Sequence, residues 1–345
     1  MKLNKFKKLA LASVILLAIS AQAREQLRIV GSSTVYPFAS MVAEEFGAVT
    51  KYPSPIVEST GTGGGMKIFC SGASDDTPDI TNASRRMNLK EFYLCDRNGV
   101  SDITEITFGY DGIAIGQNGN NKPFNLSKRE LMLAVIKMVP NKAGTALIEN
   151  PYKKWSDINP SLPDHEIIVY GPPKSSGTRD AFEEIVLEYQ TQEMKVYRDA
   201  GLKGYRVVRT DGVYVPSGEN DNLIVQKLTK NPNAVGIFGY SFLIENSDRI
   251  SDVTIDGITP TPETISSKSY PISRSLFFYV KNAHKDIESQ QAYIDMFTAF
   301  EMIGEDGILS EIGLIPLNDV LVEIAQEKAA NRIKLTEDEL KKNSH

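Results

Sequence analysis

One repeated pattern constrains this chain most: a short apolar strand, a loop rich in glycine, serine and threonine, then a helix. Gln26-Leu-Arg-Ile-Val30 alternates like a strand, and Gly31-Ser-Ser-Thr34 is polar. Tyr36 to Phe46 then sets Phe38, Met41, Val42 and Phe46 at helical spacing. The pattern returns at Ile56-Val57, followed by Gly61-Thr-Gly-Gly-Gly65 and by Met66 to Phe69. It returns again at Ile167-Ile-Val-Tyr170, with a loop through Ser176-Gly-Thr178 and a helix from about Arg179 to Tyr189. Strands alternating with helices predict an α/β architecture.

Two further segments suggest how that architecture divides. Ile106 to Ile115 reads as a long strand interrupted by Gly109 and Gly112, and Ser275 to Val280 as another strongly apolar strand. Both are suited to cross between two lobes. The expected division is 24–112 plus 270–320 for one lobe and 113–269 for the other. At 345 residues the chain is long enough for one large or two ordinary domains. Val235 to Tyr240 reads as a buried strand, and Asn222 to Thr229 as an amphipathic helix. The segment 321–345 is charged and helix-prone, which predicts a solvated C-terminal helix with a frayed end.

The N-terminus has the form of an export signal. Lys2, Lys5, Lys7 and Lys8 precede the apolar Leu9–Ser20, and Ala21-Gln22-Ala23 provides a cleavage site. The apolar run is too short for a bilayer span, which needs ~20 residues. A signal peptide over 1–23 is therefore expected, and no later segment is apolar enough to span a membrane. With no cysteine at the cleavage point for lipid attachment, a free periplasmic protein is expected. In an oxidising compartment the only two cysteines, Cys70 and Cys95, are a disulfide candidate. The alternative is two separate buried thiols.

Four polar loops could carry chemistry: Gly31-Ser-Ser-Thr34, Gly61-Thr-Gly-Gly-Gly65, Asn82-Ala-Ser-Arg-Arg86 and Ser175-Ser-Gly-Thr-Arg179. At least three precede helices, whose first turns carry free N–H groups and the positive end of the macrodipole. Converging, they would form a donor-rich pocket for an oxyanion. Taken singly, each reads as an ordinary N-cap. The glycine loop lacks the G-x-x-x-x-G-K-[ST] of a nucleotide P-loop, because Ile68 follows Lys67. Met66 stands where the last glycine of G-x-G-x-x-G would fall. Hydrolase chemistry finds no G-x-S-x-G elbow. His165 and His284 both read as surface residues, and with His345 they show no metal-ligand spacing. A net charge of −6 does not suit a nucleic-acid binder.

Taken in order, Gly31-Ser-Ser-Thr-Val-Tyr-Pro37, Gly-Thr-Gly-Gly-Gly-Met-Lys67, Asp79-Ile-Thr-Asn-Ala-Ser84 and Ser175-Ser-Gly-Thr-Arg-Asp-Ala-Phe182 resemble periplasmic phosphate-binding proteins of the high-affinity ABC-type phosphate transporter. Val235 to Tyr240 and Tyr270-Pro-Ile272 resemble them too. The resemblance implies a two-lobed, type II-like periplasmic-binding-protein fold with two crossing strands and an interlobe ligand cleft. It implies no enzymatic step, no cofactor and no metal. Its partners would be inorganic phosphate and an inner-membrane ABC permease, and a monomer is expected. Carried over by position, the phosphate ligands would be Ser33, Thr34, Thr62, Ser84, Ser176, Gly177 and Thr178. Two departures matter. Arg85 stands where many members have an aspartate, and Pro172-Pro173 lies where an arginine is often found. The cation would then come from Arg85 or Arg179. The group accepting the phosphate proton would be sought among Asp180, Asp111, Glu219 and Asp221, with Asn220 as a pocket amide or a cap. Another tetrahedral oxyanion, such as sulfate or molybdate, is the alternative ligand. An exported phosphoesterase, or an adhesion or sensory protein on the same fold, is the alternative of a different class.

Overall fold

The computed structural model describes residues 26–218 and 222–342. The expected signal peptide, Glu219, Asn220, Asp221 and His345 lie outside the described residues. Among the described residues twelve strands form: β1 Arg28–Gly31, β2 Ile56–Ser59, β3 Ile80–Ala83, β4 Ile103–Asn118, β5 Phe124–Leu126, β6 Met138–Pro140, β7 Leu147–Glu149, β8 Val169–Gly171, β9 Tyr214–Pro216, β10 Val235–Gly239, β11 Ile250–Ile255 and β12 Ser273–Lys281. The main sheet runs β2-β1-β3-β12-β4-β10-β8-β9. Parallel pairing joins β1 to β2 and β3, whereas β12 enters antiparallel between β3 and β4.

β4 is the strand that both halves share. Ile103 to Gly112 pairs with β12, and Ile113 to Gln117 pairs with β10. Glycines 109 and 112 do not interrupt it, so it is longer than the sequence pattern predicts. A bulge opposite Leu276/Phe277 leaves Phe108 unpaired. Phe108 instead packs edge-on to Phe38 and Phe297. An inserted residue bends a strand and increases its twist.

The apolar interior is divided as the strand is. One core gathers Ile113, Ile115, Trp155, Phe182, Ile237, Phe238, Tyr270 and Ile272. Another gathers Ile29, Phe46, Ile106, Phe108, Leu276, Phe278 and Phe297, and a smaller cluster around Met66, Phe69 and Tyr279 adjoins it. Tyr110 packs against both large cores. This is an α/β structure of two lobes joined where β4 and the chain entering β12 cross.

The C-terminal segment differs from its expected solvated state. Helix Asp319–Ala330 buries Val322, Ala325 and Ala329. Leu335 N–H donates to Ile103 O at 2.7 Å, and Leu335 and Leu340 join the smaller cluster. Burying each leucine is worth roughly 1.5–3 kcal/mol, which outweighs the solvation of the charged face that dominates the sequence pattern. Cys70 and Cys95 form a disulfide, tying the end of helix Thr62–Phe69 to helix Leu89–Arg97.

Candidate functional site

Three of the four polar loops meet helices as expected, but the glycine loop is shorter than its sequence suggests. The helix begins at Thr62, so Gly63, Gly64 and Gly65 lie in its first turns. Gly65 is needed for packing: a Cβ there would fall 2.4 Å from Gly31 Cα and 2.8 Å from Thr81 Oγ1. The glycine run therefore lets this helix press onto β1 and β3.

Helices Tyr36–Val49, Thr62–Phe69 and Gly177–Phe182 all begin without a side-chain cap. By contrast, Asn88, Ser127 and Thr261 each cap a helix with a side-chain oxygen. Ser176 occupies the N-cap position, yet its hydroxyl makes no capping bond. Among the described residues, then, no N-cap side chain takes up a first-turn N–H at these loops, although Val35 N–H, just before the first helix, donates to Ser32 Oγ at 3.4 Å. The third helix is longer than its first segment, continuing through the π-helical Glu183–Glu188 into Tyr189–Glu193.

The first and fourth loops meet across the lobes. Thr34 Oγ1 donates to Gly177 O at 3.1 Å, and Ser33 Oγ donates to Asp180 Oδ2 at 3.3 Å. Ser33, Thr34, Asp111, Ser176, Gly177 and Thr178 line one cavity of ≈ 470 Å³. The second and third loops satisfy each other: Thr62 and Ser84 hydroxyls lie 3.0 Å apart, and Ser84 N–H donates to Thr62 Oγ1 at 3.1 Å. Ser84 and Arg85 line a neighbouring cavity of ≈ 750 Å³.

The arginines divide. Arg85 makes a bidentate pair with Glu91, with contacts of 2.7 and 2.9 Å. That hydrogen bonding raises its pKa further; burial opposes the rise, and the charges of Glu91 and Glu184 add to it. Arg179 shares a cavity with the candidate Asp180 but does not line the one at Ser33, Thr34 and Ser176. Its Nε donates to Glu183 at 2.6 Å, its guanidinium lies 4.3 Å from the Tyr214 ring centroid, and Lys174 and Arg206 line the shared cavity with it. Burial pushes the Glu183 carboxyl up, and Arg179 only partly offsets this.

Two residues that the sequence did not single out join the site. Arg274 opens β12 and is 8% exposed. Its Nη2 donates to Thr34 Oγ1 at 2.6 Å, its Nε to Asp111 Oδ2 at 3.3 Å and its Nη1 to Glu184 Oε2 at 3.0 Å. Glu184 also pairs with Arg85 Nε at 3.4 Å. The signal for Arg274 was a lone cation just before a strongly apolar strand at the expected crossing. His284 departs from its expected surface position. It is 3% exposed, with Nδ1 2.7 Å from Asp79 Oδ1, so it is held in a buried pair away from these loops. His165 stays partly exposed.

Two α/β lobes joined by crossing chains, with uncapped helix ends facing each other across a cleft, define a bilobal solute-binding protein. The chain belongs to the PBP superfamily domain family, whose model matches residues 18–301. It is similar to Protein SphX of Synechocystis sp., being 30% identical over 88% of this chain and 83% of that one. It is likewise 30% identical to the phosphate-binding protein PstS of Staphylococcus haemolyticus, over 76% of this chain and 73% of the relative. A crystal structure described as a possible phosphate binding protein from Planctomyces limnophilus superposes with a TM-score of 0.73 at 28% identity, covering 90% of this chain and 99% of that chain. Among the described residues no helix is long and apolar enough to cross a membrane.

Proposed function

We propose that this protein is an exported solute-binding protein that captures inorganic phosphate between its lobes and delivers it to an ABC permease. The observation that carries the reading is the meeting of two uncapped helix N-termini, one from each lobe, at one cavity lined by Ser33, Thr34, Ser176, Gly177 and Thr178. Backbone N–H groups and hydroxyls there replace the ion's hydration shell, and the helix dipoles favour its negative charge. The lobes divide at 112/113 and 269/270, and closure follows from the ligand's higher affinity for the closed form.

Asp111 is the proposed discriminating group. It lines the same cavity and is held by Arg274. A carboxylate there accepts the proton that phosphate retains near neutral pH and opposes sulfate, which has none. Leaving such an acceptor unpaired is costly, and that cost is the selectivity. Arg85 and Arg274 supply positive charge beside the cavity, Thr62 and Ser84 brace the neighbouring loops, and Asp180 holds Ser33 across the cleft. Bond-breaking has no role in this scheme.

Isothermal titration of the mature chain with phosphate and sulfate tests the reading. Phosphate is expected to bind at about micromolar Kd or tighter, and sulfate at least roughly a hundredfold weaker, about 2.7 kcal/mol. Asp111→Asn should narrow that gap. Phosphate binding no tighter than about millimolar would end the proposal, and equal affinity for sulfate would make this a general oxyanion carrier.

A further inference from the structure

The cleft contains a carboxylate that the phosphate reading does not use. Glu184 stands on the helix that starts at Gly177, within the lobe whose core holds Phe182, Val186 and Leu187. Its two oxygens go to two arginines outside that helix: Oε2 to Arg274 Nη1 at 3.0 Å and Oε1 to Arg85 Nε at 3.4 Å. Arg85 follows β3 in the opposite lobe, and Arg274 sits at the crossing. We infer that Glu184 is a closure latch, an ion pair made only when the lobes approach, which holds bound phosphate in. The inference rests on the phosphate reading of the cleft.

Three observations support a latch over simple charge neutralisation. Each arginine already has another carboxylate: Arg85 has Glu91 and Arg274 has Asp111. Glu184 is therefore not needed to keep either cation paired. Arg274 and Asp111 are register partners on β12 and β4, so their contact survives opening of the lobes. The Arg85–Glu184 contact joins the two lobes directly and has to break on opening. The backbone is also special here. Tyr189 N–H donates to Glu184 O, five residues back, in place of the α-helical four. The widened turn alters the facing of its residues relative to the N-terminal turn at Gly177, and such π segments recur at functional sites. The adjacent Glu183 serves Arg179 within its own lobe, while Glu184 faces the cleft.

Glu184→Gln keeps the side chain's size and leaves both arginines with a carboxylate, so folding is expected to be retained. Glu184→Asp, one methylene shorter, keeps the charge and should act like the glutamine variant. Glu188→Gln controls for charge lost from the same helix, since Glu188 pairs with Arg206 and accepts from Gln192, both of its own lobe. Release of radiolabelled phosphate, chased with unlabelled phosphate, is the readout. The latch acts after closure, so Glu184→Gln should speed release about tenfold and change the association rate less than about twofold. Glu188→Gln should match wild type. Release at the wild-type rate overturns the latch, as does tighter binding, which would make the carboxylate a competitor of the anion. If the wild-type protein binds no phosphate, that refutes the reading of the cleft instead. The latch is then read from small-angle scattering under saturating sulfate or molybdate, where Glu184→Gln must have the larger radius of gyration and equal radii overturn it.

Discussion

Gly177→Ala separates closure from folding. A Cβ at Gly177 would fall 2.7 Å from Ser33 O and 2.9 Å from Thr34 Cα. All of these atoms are backbone of the opposite lobe, so no side-chain rotation relieves the contact. Carbon and oxygen rest at about 3.3–3.6 Å, so the loops must stand roughly 0.7 Å further apart. That separation breaks two bonds, Thr34 Oγ1 to Gly177 O and Ser33 Oγ to Asp180 Oδ2. The neutral bond contributes about 1 kcal/mol and the one to a carboxylate about 1.5–2. Together they weaken closure by about 2–3 kcal/mol, so phosphate Kd should rise roughly 30- to 150-fold. The open form meets no clash, and alanine suits the first turn of a helix better than glycine, by up to about 1 kcal/mol. The melting temperature of the ligand-free variant should therefore be no lower than wild type. Titration calorimetry and thermal melts read the two quantities separately. The backbone N–H of residue 177 survives the change, so lost affinity reports closure and not a lost donor. Wild-type affinity in this variant would show that binding does not need the loops to meet, and the closure argument would be wrong.

Two further outcomes concern stability. Opening the Cys70–Cys95 disulfide, with a sequence separation of 25, should cost about 3 kcal/mol in the chain-entropy account, seen as a lower urea midpoint with reductant or in the double serine variant; an unchanged midpoint refutes it. The second concerns Asp211, whose carboxyl is held well below the usual carboxylate range chiefly by its hydrogen bond to the buried Arg209, with Lys153 adding. Its folded value lies below the unfolded one, so the stability it contributes is present above about pH 4 and lost as pH falls. Asp211→Asn should melt lower than wild type at pH 7 and lose less on acidification, and parallel melting curves across the pH series would refute this.

Local order was legible in the sequence wherever local physics decides it. Val235–Gly239 is a buried strand because its apolar run has no polar face to expose. Helix Tyr36–Val49 follows the spacing of Phe38, Val42 and Phe46. The misreadings share one cause, which is that the contact deciding each of them comes from far along the chain. Segment 321–345 looked solvated because Leu335 and Leu340 are sparse among charges; only the neighbouring cluster around Phe69 and Tyr279 gives them a place to bury. The Gly63-Gly-Gly65 run looked like a loop because glycine disfavours helices. The approach of Gly65 to Gly31 outweighs that preference. The pairing of Arg179 with Glu183, by contrast, is local: four residues apart is a spacing that readily pairs on a helix.

By itself the sequence determined the α/β class, the donor-rich loops ahead of helices, the long strand suited to cross between lobes and the likeness to phosphate-binding proteins, all of which depend on residues near each other along the chain. Tertiary structure alone decided which cations face the cleft. Arg274 joins Thr34, Asp111 and Glu184 because β12 runs between β3 and β4, bringing together residues separated by as many as 240 positions. No local propensity encodes such a contact. It exists because two separately packed cores meet only along the crossing strand and at the mouths of their helices.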